Sequence, residues 1–416
     1  MEKKVQKSFL KNGIEVVTES IPYVRSISVG FWIKTGSRDE HKSLNGMSHF
    51  IEHLIFKGTE NRSAKEISET FDGLGAEINA FTGKECTCYY ARLLDKNLPI
   101  AAEVLSDMLS KPAFRSDDIK SEKEVILEEI SLHEDSPDER VHDLFAETLW
   151  DGHPLGEKIL GSLDTVKKFK REDVIGCFKK HYTPKNMIIT AAGNLKHEDV
   201  FNLAHTYLRG TDRDSVFNKK TKIDVKSRVK IEYKKTEQAH ICYGCEGLPA
   251  AHKDRFALSI LDSVLGGGMS SRFFQEIREK RGLAYTVYSY HSFYRDTGSF
   301  VVYAGTRPAN AEKVLDLIKT EINKVVTKGI KVDELNRAKE QIKGQLILGL
   351  ESTGTRMMRL GKSEITHGEI LSLSELINCI EKVKLEDVQR VARNIFLPEK
   401  TVLTIIGPVK KDMFVI

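Results

Sequence analysis

Two stretches of this chain align with each other without a gap. Residues 171–193 (REDVIGCFKKHYTPKNMIITAAG) match residues 385–407 (LEDVQRVARNIFLPEKTVLTIIG). Glu172/Glu386, Asp173/Asp387, Val174/Val388, Pro184/Pro398, Thr190/Thr404 and Gly193/Gly407 are identical at one constant offset of 214 residues. Each copy reads as a helix, a proline turn and a buried strand closed by glycine. In a chain of 416 residues, an offset near half the length means two related domains, because solenoid repeats recur at roughly 20–50 residues. The expected organisation is a first domain over 1–212, a polar and basic linker over 213–225, and a second domain over 226–416.

Within each half, β-rich runs at 27–33, 87–93, 241–244 and 299–304 alternate with long helical patterns such as 98–109 and 311–326. Strict βαβ alternation is missing and strand-turn-strand patterns suggest antiparallel pairing. The expected fold class is therefore α+β, with each domain a mostly antiparallel sheet carrying helices on one face. The 64 basic and 60 acidic residues are spread along the chain, which points away from nucleic acid or a membrane surface as partner. The N-terminal residues lack the apolar run of a secretory signal, and no stretch approaches about 20 apolar residues, so a soluble, unexported chain is expected. Six scattered cysteines fit a reducing compartment, with cytosol as the first expectation. The Cys242/Cys245 pair has no second pair nearby and reads as small strand residues rather than a redox or zinc motif.

The chemistry concentrates at residues 45–58. Met47, Phe50, Ile51, Leu54 and Ile55 follow the i, i+3, i+4, i+7, i+8 pattern of a helix with one buried stripe. At about 100° per residue, His49, Glu52 and His53 lie together on the opposite side. Histidines four apart are neighbours on a helix and can share one metal ion, and the glutamate between them can reach a water on that ion. The bland alternative is a solvated helix face that carries this pattern by chance.

Two histidines need a third ligand, and a carboxylate would complete a catalytic zinc centre. Candidates lie on the helical stretch 116–133, where Glu122, Ile126, Glu129 and His133 share one face and Glu128 points elsewhere. Sequence physics does not choose among these glutamates.

The motif H-x-x-E-H at 49–53 is the inverzincin signature, and it is accompanied by FKGT (56–59), GAEINAFT (75–82), VILEE (125–129), HPLG (153–156), LGGGMSSR (265–272) and REKRGLAY (278–285). Over nearly its full length the chain resembles the pitrilysin family of zinc metallopeptidases, in the branch of the mitochondrial processing peptidases and their bacterial relatives. The resemblance implies one Zn2+ per chain on His49, His53 and Glu129, with Glu122 supporting the site from seven residues earlier. It implies Glu52 as the catalytic base and Arg278 and Tyr285 as groups near the scissile carbonyl. Asn79 and Ala80 match positions that hold the substrate as an added strand. The second half carries no copy of the zinc motif, and Gly266, Gly267 and Gly268 match the branch's glycine-rich loop.

Family members of this length form half of a clamshell. The expected partner is therefore a second copy in a homodimer, or a related chain in a heterodimer, enclosing peptide or unfolded substrate. Processing peptidases read basic residues through acidic ones downstream of the third ligand, which match Glu139 and Asp143; an exposed acidic loop is the alternative account of residues 134–143. A bacterial cytosolic enzyme is expected over a mitochondrial matrix one. The rival classes are a non-catalytic structural subunit and a peptide-binding protein with a structural metal. A complete set of ligands and base argues against the first. A structural zinc usually has four protein ligands, where only three are identifiable, which argues against the second.

Overall fold

The structure is a computed structural model describing residues 5–208, 223–410 and 413–414; residues 213–222 of the expected linker lie outside them. The first half begins with β1 (Val5–Phe9), β2 (Glu15–Ser20) and β3 (Ser26–Ile33), then α1 (Met47–Ile55) and α2 (Ala64–Gly73). A hairpin of β4 (Glu77–Thr82) and β5 (Thr87–Leu94) follows, then α3 (Leu98–Ser110), α4 (Ser116–Asp135) and α5 (Pro137–Leu149). The half closes with α6 (Leu163–Lys168), α7 (Arg171–His181), β6 (Met187–Gly193) and α8 (His197–Leu208). The second half runs β7 (Arg228–Tyr233), β8 (Ala239–Glu246), α9 (Arg255–Leu265), a π-helical turn (Phe274–Glu279), β9 (Ala284–Phe293) and β10 (Gly298–Thr306). It ends with α10 (Ala311–Lys328), α11 (Val332–Gly349), α12 (Thr353–His367), α13 (Leu373–Glu381), α14 (Leu385–Ile395) and β11 (Thr401–Gly407).

The strands form two sheets, ordered β1-β2-β6-β3-β5-β4 and β7-β11-β8-β10-β9. Apart from the extra edge strand β1 the two orders are the same, and in each sheet one pair is parallel, β2 with β6 and β7 with β11. The fold is therefore mixed helix and sheet in two halves of one plan. The repeat accounts for the match residue by residue. α7 and α14 are offset by the same 214 positions as β6 and β11. Asp173 and Asp387 each accept the backbone N–H three residues before them, from Lys170 and Lys384, at 2.9 Å, capping both helices alike. Gly193 and Gly407 end the strands where a neighbour passes too close for a side chain: a Cβ would lie 2.2 Å from the Ser26 carbonyl oxygen or 2.8 Å from Ala239 Cα.

The helices of each half cover one face of its sheet, but the opposite face is also covered. The first compact unit takes in Gly349–Ile370 from the second half of the chain, and the second unit takes in Leu132–Gly156 from the first. In the first unit α12 packs on β2, β3 and β6, setting Met357 and Leu360 against Val17, Trp32, Ile188 and Ala192. Gly361 makes the approach possible, since a Cβ there would sit 2.1 Å from the Trp32 ring. Arg356 and Arg359 reach Glu19 from the same helix. In the second unit α5 lies on β8 and β11, and Val141, Leu144, Phe145 and Leu149 pack with Cys242, Val301 and Val402. Covered on both sides, β3 and β6 are buried along nearly their whole length rather than on one face only. Cys242 and Cys245 are buried strand residues of β8.

Candidate metal centre

α1 is fixed at its start by two features outside the motif. Gly46 precedes it at φ 96° with the Leu160 carbonyl oxygen 2.7 Å from where a Cβ would be, so a side chain is excluded there. The Glu40 carboxyl accepts the backbone N–H groups of Gly46 at 2.7 Å and Ser48 at 2.6 Å, partnering groups at the helix start that have no acceptor within the helix, while burial raises its pKa to about 7. The stripe Met47, Phe50, Ile51, Leu54 and Ile55 is buried as the periodicity requires. The polar face is not solvated, however: His49 is 8% exposed and Glu52 9%. Side chains of α4 and the strand β4 cover it.

Glu122, Ile126 and Glu129 project from α4 toward this face while Glu128 is exposed. One donor atom each from His49, His53 and Glu129 lies within 4.8 Å of the others. Glu129 Oε1 is 3.8 Å from His49 Nε2, and Oε2 is 3.7 Å from His53 Nε2. These separations exceed hydrogen-bond reach and approach the roughly 3.3–3.4 Å between ligands that each lie about 2.0–2.1 Å from one tetrahedral ion. Two imidazole nitrogens and one carboxylate suit zinc with a position left for water. Burial, with the charge of His53 adding to it, brings the His49 pKa down to about 4 and keeps the ring in the neutral form a metal requires. For His53 burial pulls the pKa down, but the hydrogen bond to Glu122 and the nearby carboxylates of Glu129, Glu122 and Glu52 outweigh it and raise it.

Glu122 is 3% exposed. Burial disfavours its charge, yet hydrogen bonds with His53 and Lys57 hold its pKa below the ordinary carboxylate value.

Glu52 sits one residue before His53, and its Oε2 accepts a hydrogen bond from the Thr82 hydroxyl. Burial raises its pKa, the Thr82 bond and His53 draw it back, and Glu129 raises it further. β4 is the last strand of its sheet. Asn79 and Ala80 lie on it, and the Asn79 side-chain oxygen accepts the Ala80 N–H at 2.7 Å. Thr82 lies in the stretch 75–82 but nothing in the sequence assigns it a role, and Glu40 carries no sequence signal; both contacts arise only in the folded chain.

Arg278, Tyr285, Glu139 and Asp143 belong to the second unit. The π-helical turn presents Arg278, whose guanidinium lies 4.8 Å from the ring centroids of both Phe274 and Tyr285. Tyr285 is 76% exposed at the start of the edge strand β9. Residues 137–143 are not the acidic loop that composition suggests. Pro137 takes the first helical position, the acidic Asp138 and Glu139 suit the first turn of α5, and the apolar face of that helix is buried. Glu139 is exposed, and Asp143 lies with its Oδ2 3.8 Å from His133 Nδ1. The loop at Gly266–Gly268 is tied down by Gln341, whose side-chain amide donates to the Gly267 carbonyl at 2.7 Å.

Residues 15–163 match the family model described as insulinase (peptidase family M16), and residues 168–342 match the one described as the peptidase M16 inactive domain. Among curated relatives, an uncharacterized zinc protease of Streptomyces coelicolor is 43% identical over 98% of this chain and 90% of its own length. Another, from Bacillus subtilis, is 40% identical over 97% of this chain and 98% of its own. The crystal structure of a protease from Helicobacter pylori is similar with a TM-score of 0.93 at 25% identity, covering 97% of this chain and 100% of that one. A Pseudomonas fluorescens structure described as a peptidase M16 inactive domain shares the fold at a TM-score of 0.91 and 20% identity, over 97% and 98% of the two chains. Among the described residues no helix is long and apolar enough to cross a membrane.

Proposed function

The chain belongs to peptidase family M16, and on that premise we propose that it is a zinc-dependent endopeptidase acting on peptides or unfolded segments. The observation that carries this reading is the convergence of His49, His53 and Glu129 beside the buried carboxylate of Glu52. These three residues would hold one zinc ion per chain. Bound there, zinc supplies Lewis-acid polarisation of the peptide carbonyl and makes water acidic enough to serve as nucleophile near neutral pH. Glu52 would serve as the base, accepting a proton from the attacking water on its carboxylate and passing it to the leaving amine nitrogen. Glu122 accepts from His53 Nδ1 and so keeps Nε2 as the coordinating nitrogen.

β4 offers a sheet edge on which Asn79 and Ala80 bind substrate as an added strand, recognition that rests on main-chain hydrogen bonds and accepts many sequences. Arg278 and Tyr285 donate hydrogen bonds to the substrate backbone or the developing oxyanion. Glu139 and Asp143 favour basic residues on the substrate. The working assembly is a homodimer in which Arg278 and Tyr285 of one copy serve the zinc of the other, in the bacterial cytoplasm.

The test is cleavage of an internally quenched fluorescent peptide by the zinc-loaded chain. Cleavage should stop with chelator and return with added zinc. A zinc-loaded chain that leaves a panel of such peptides intact would overturn the proposal.

A further inference from the structure

β4 does more than offer an edge. Its side chains alternate, as in any strand. Ile78 and Ala80 pack against the core that contains α1, whereas Phe81 turns to the opposite face, its ring 5.7 Å from that of Trp32. Thr82, two residues beyond Ala80, falls on the α1 side. It replaces that apolar row with a hydroxyl where Glu52 lies, and it gives its hydrogen bond to Glu52 Oε2. The hydroxyl does not turn back to the hairpin backbone, as a merely local threonine contact would. Thr82 also ends the paired part of the hairpin, opposite Thr87 of β5, so its backbone is held by the sheet while its side chain reaches the helix.

We infer that Thr82 is the positioning residue for Glu52, fixing the carboxylate from the same strand that receives the substrate. The inference rests on the peptidase reading above. A glutamate has three rotatable side-chain bonds, and a base delivers a proton efficiently only when its oxygen is within about 2.6–3.2 Å of the proton's position. The Thr82 bond engages one oxygen and assigns the other to the proton. A peptide bound on β4 and the base that acts on it therefore share one rigid element, and the distance between them is set by the strand and not by a loop.

Thr82→Val keeps the shape and the β-branch and removes only the hydroxyl, whereas Thr82→Ser keeps the hydroxyl. Both variants are made in the full chain, loaded with zinc and assayed on a fluorescent peptide the wild type cleaves. Thr82→Val should lower kcat by roughly 10–100-fold, the scale expected when a catalytic group is displaced by about 1 Å. KM should stay within about twofold, with zinc content and thermal midpoint at wild-type level. Thr82→Ser should recover most of the lost kcat. A Thr82→Val protein with wild-type kcat overturns the inference, as does a loss that appears in KM or zinc content instead, or a Thr82→Ser protein as slow as Thr82→Val. Those results leave the peptidase reading standing, because the wild type cleaves. A wild type that cleaves nothing overturns both.

Discussion

His53 Nδ1 lies 2.8 Å from Glu122 Oε1, and because a carboxylate at its depressed pKa can only accept, the proton belongs to Nδ1. In the neutral ring, the form a metal requires, that assignment leaves Nε2, the nitrogen facing Glu129, with its lone pair toward the candidate metal position. Lys57 holds the other oxygen of Glu122, so orientation of this ring is settled by residues that touch no metal themselves.

Glu122→Ala should accordingly weaken zinc binding by roughly 10–100-fold, the range for losing an outer partner of a ligating histidine. Glu122→Gln, which keeps an acceptor at Nδ1, should lose less. Competition against a chromophoric chelator reads both. An alanine variant that retains wild-type affinity would remove Glu122 from the site.

Glu52 and Glu129 separate by readout. Glu52→Gln should retain one zinc per chain while peptide cleavage falls by about 10²–10⁴-fold, the usual contribution of a positioned base. Glu129→Gln should lose both zinc and cleavage. Elemental analysis beside the peptide assay distinguishes them, and full zinc occupancy in Glu129→Gln would direct attention to another ligand.

His181 supplies a pH dependence away from the candidate metal position. It is 7% exposed, and burial, followed by the charge of Lys180, lowers its pKa to about 4 from an ordinary 6.5. The folded chain keeps it neutral where the unfolded chain takes up a proton. Its contribution is therefore complete above pH 6.5 and is lost as pH falls through 6.5 toward 4, by at most about 3 kcal/mol. Urea unfolding of His181→Gln should show a shallower loss of stability across that window than the wild type. Equal slopes would mean that His181 does not stay neutral in the folded protein.

The proposed dimer makes a prediction that a self-sufficient monomer does not. Glu52→Gln and Arg278→Ala should each be inactive alone, yet mixing and reassociating them should restore cleavage, because one of the two sites in the mixed dimer then carries both intact groups. Light scattering should give twice the chain mass. A monomeric scattering mass with no recovery on mixing would rule out sharing between subunits.

The features that could be read from sequence are those encoded locally. The offset of 214 residues located α7, β6, α14 and β11 because each copy carries its own helix cap, proline turn and terminal glycine. Likewise α1 declared itself through a 3.6-residue period and the spacing of His49, Glu52 and His53. Glu129 shares a helix face with Glu122, but only the family resemblance singled it out, since ligand choice depends on how α4 meets α1. The contacts of Thr82 and Glu40 could not be read for the same reason: a hydroxyl on a strand and a carboxylate in a turn become specific only when a helix arrives beside them. Residues 134–143 misled because acidic side chains and a proline suit both a loop and the first turn of a helix. The burial of Val141, Leu144 and Phe145 decides between them.

The crossing of α12 into the first unit and α5 into the second bears on how the protein is made. Met357 and Leu360, which cover Val17, Trp32 and Ile188, follow every strand of the first sheet in the chain. During synthesis that sheet therefore keeps one face uncovered until α12 has also been made. A fragment ending at the boundary between the two repeats would be released in that unfinished state and prone to aggregate. The two repeats share one plan, yet neither supplies all of the packing that covers its own sheet.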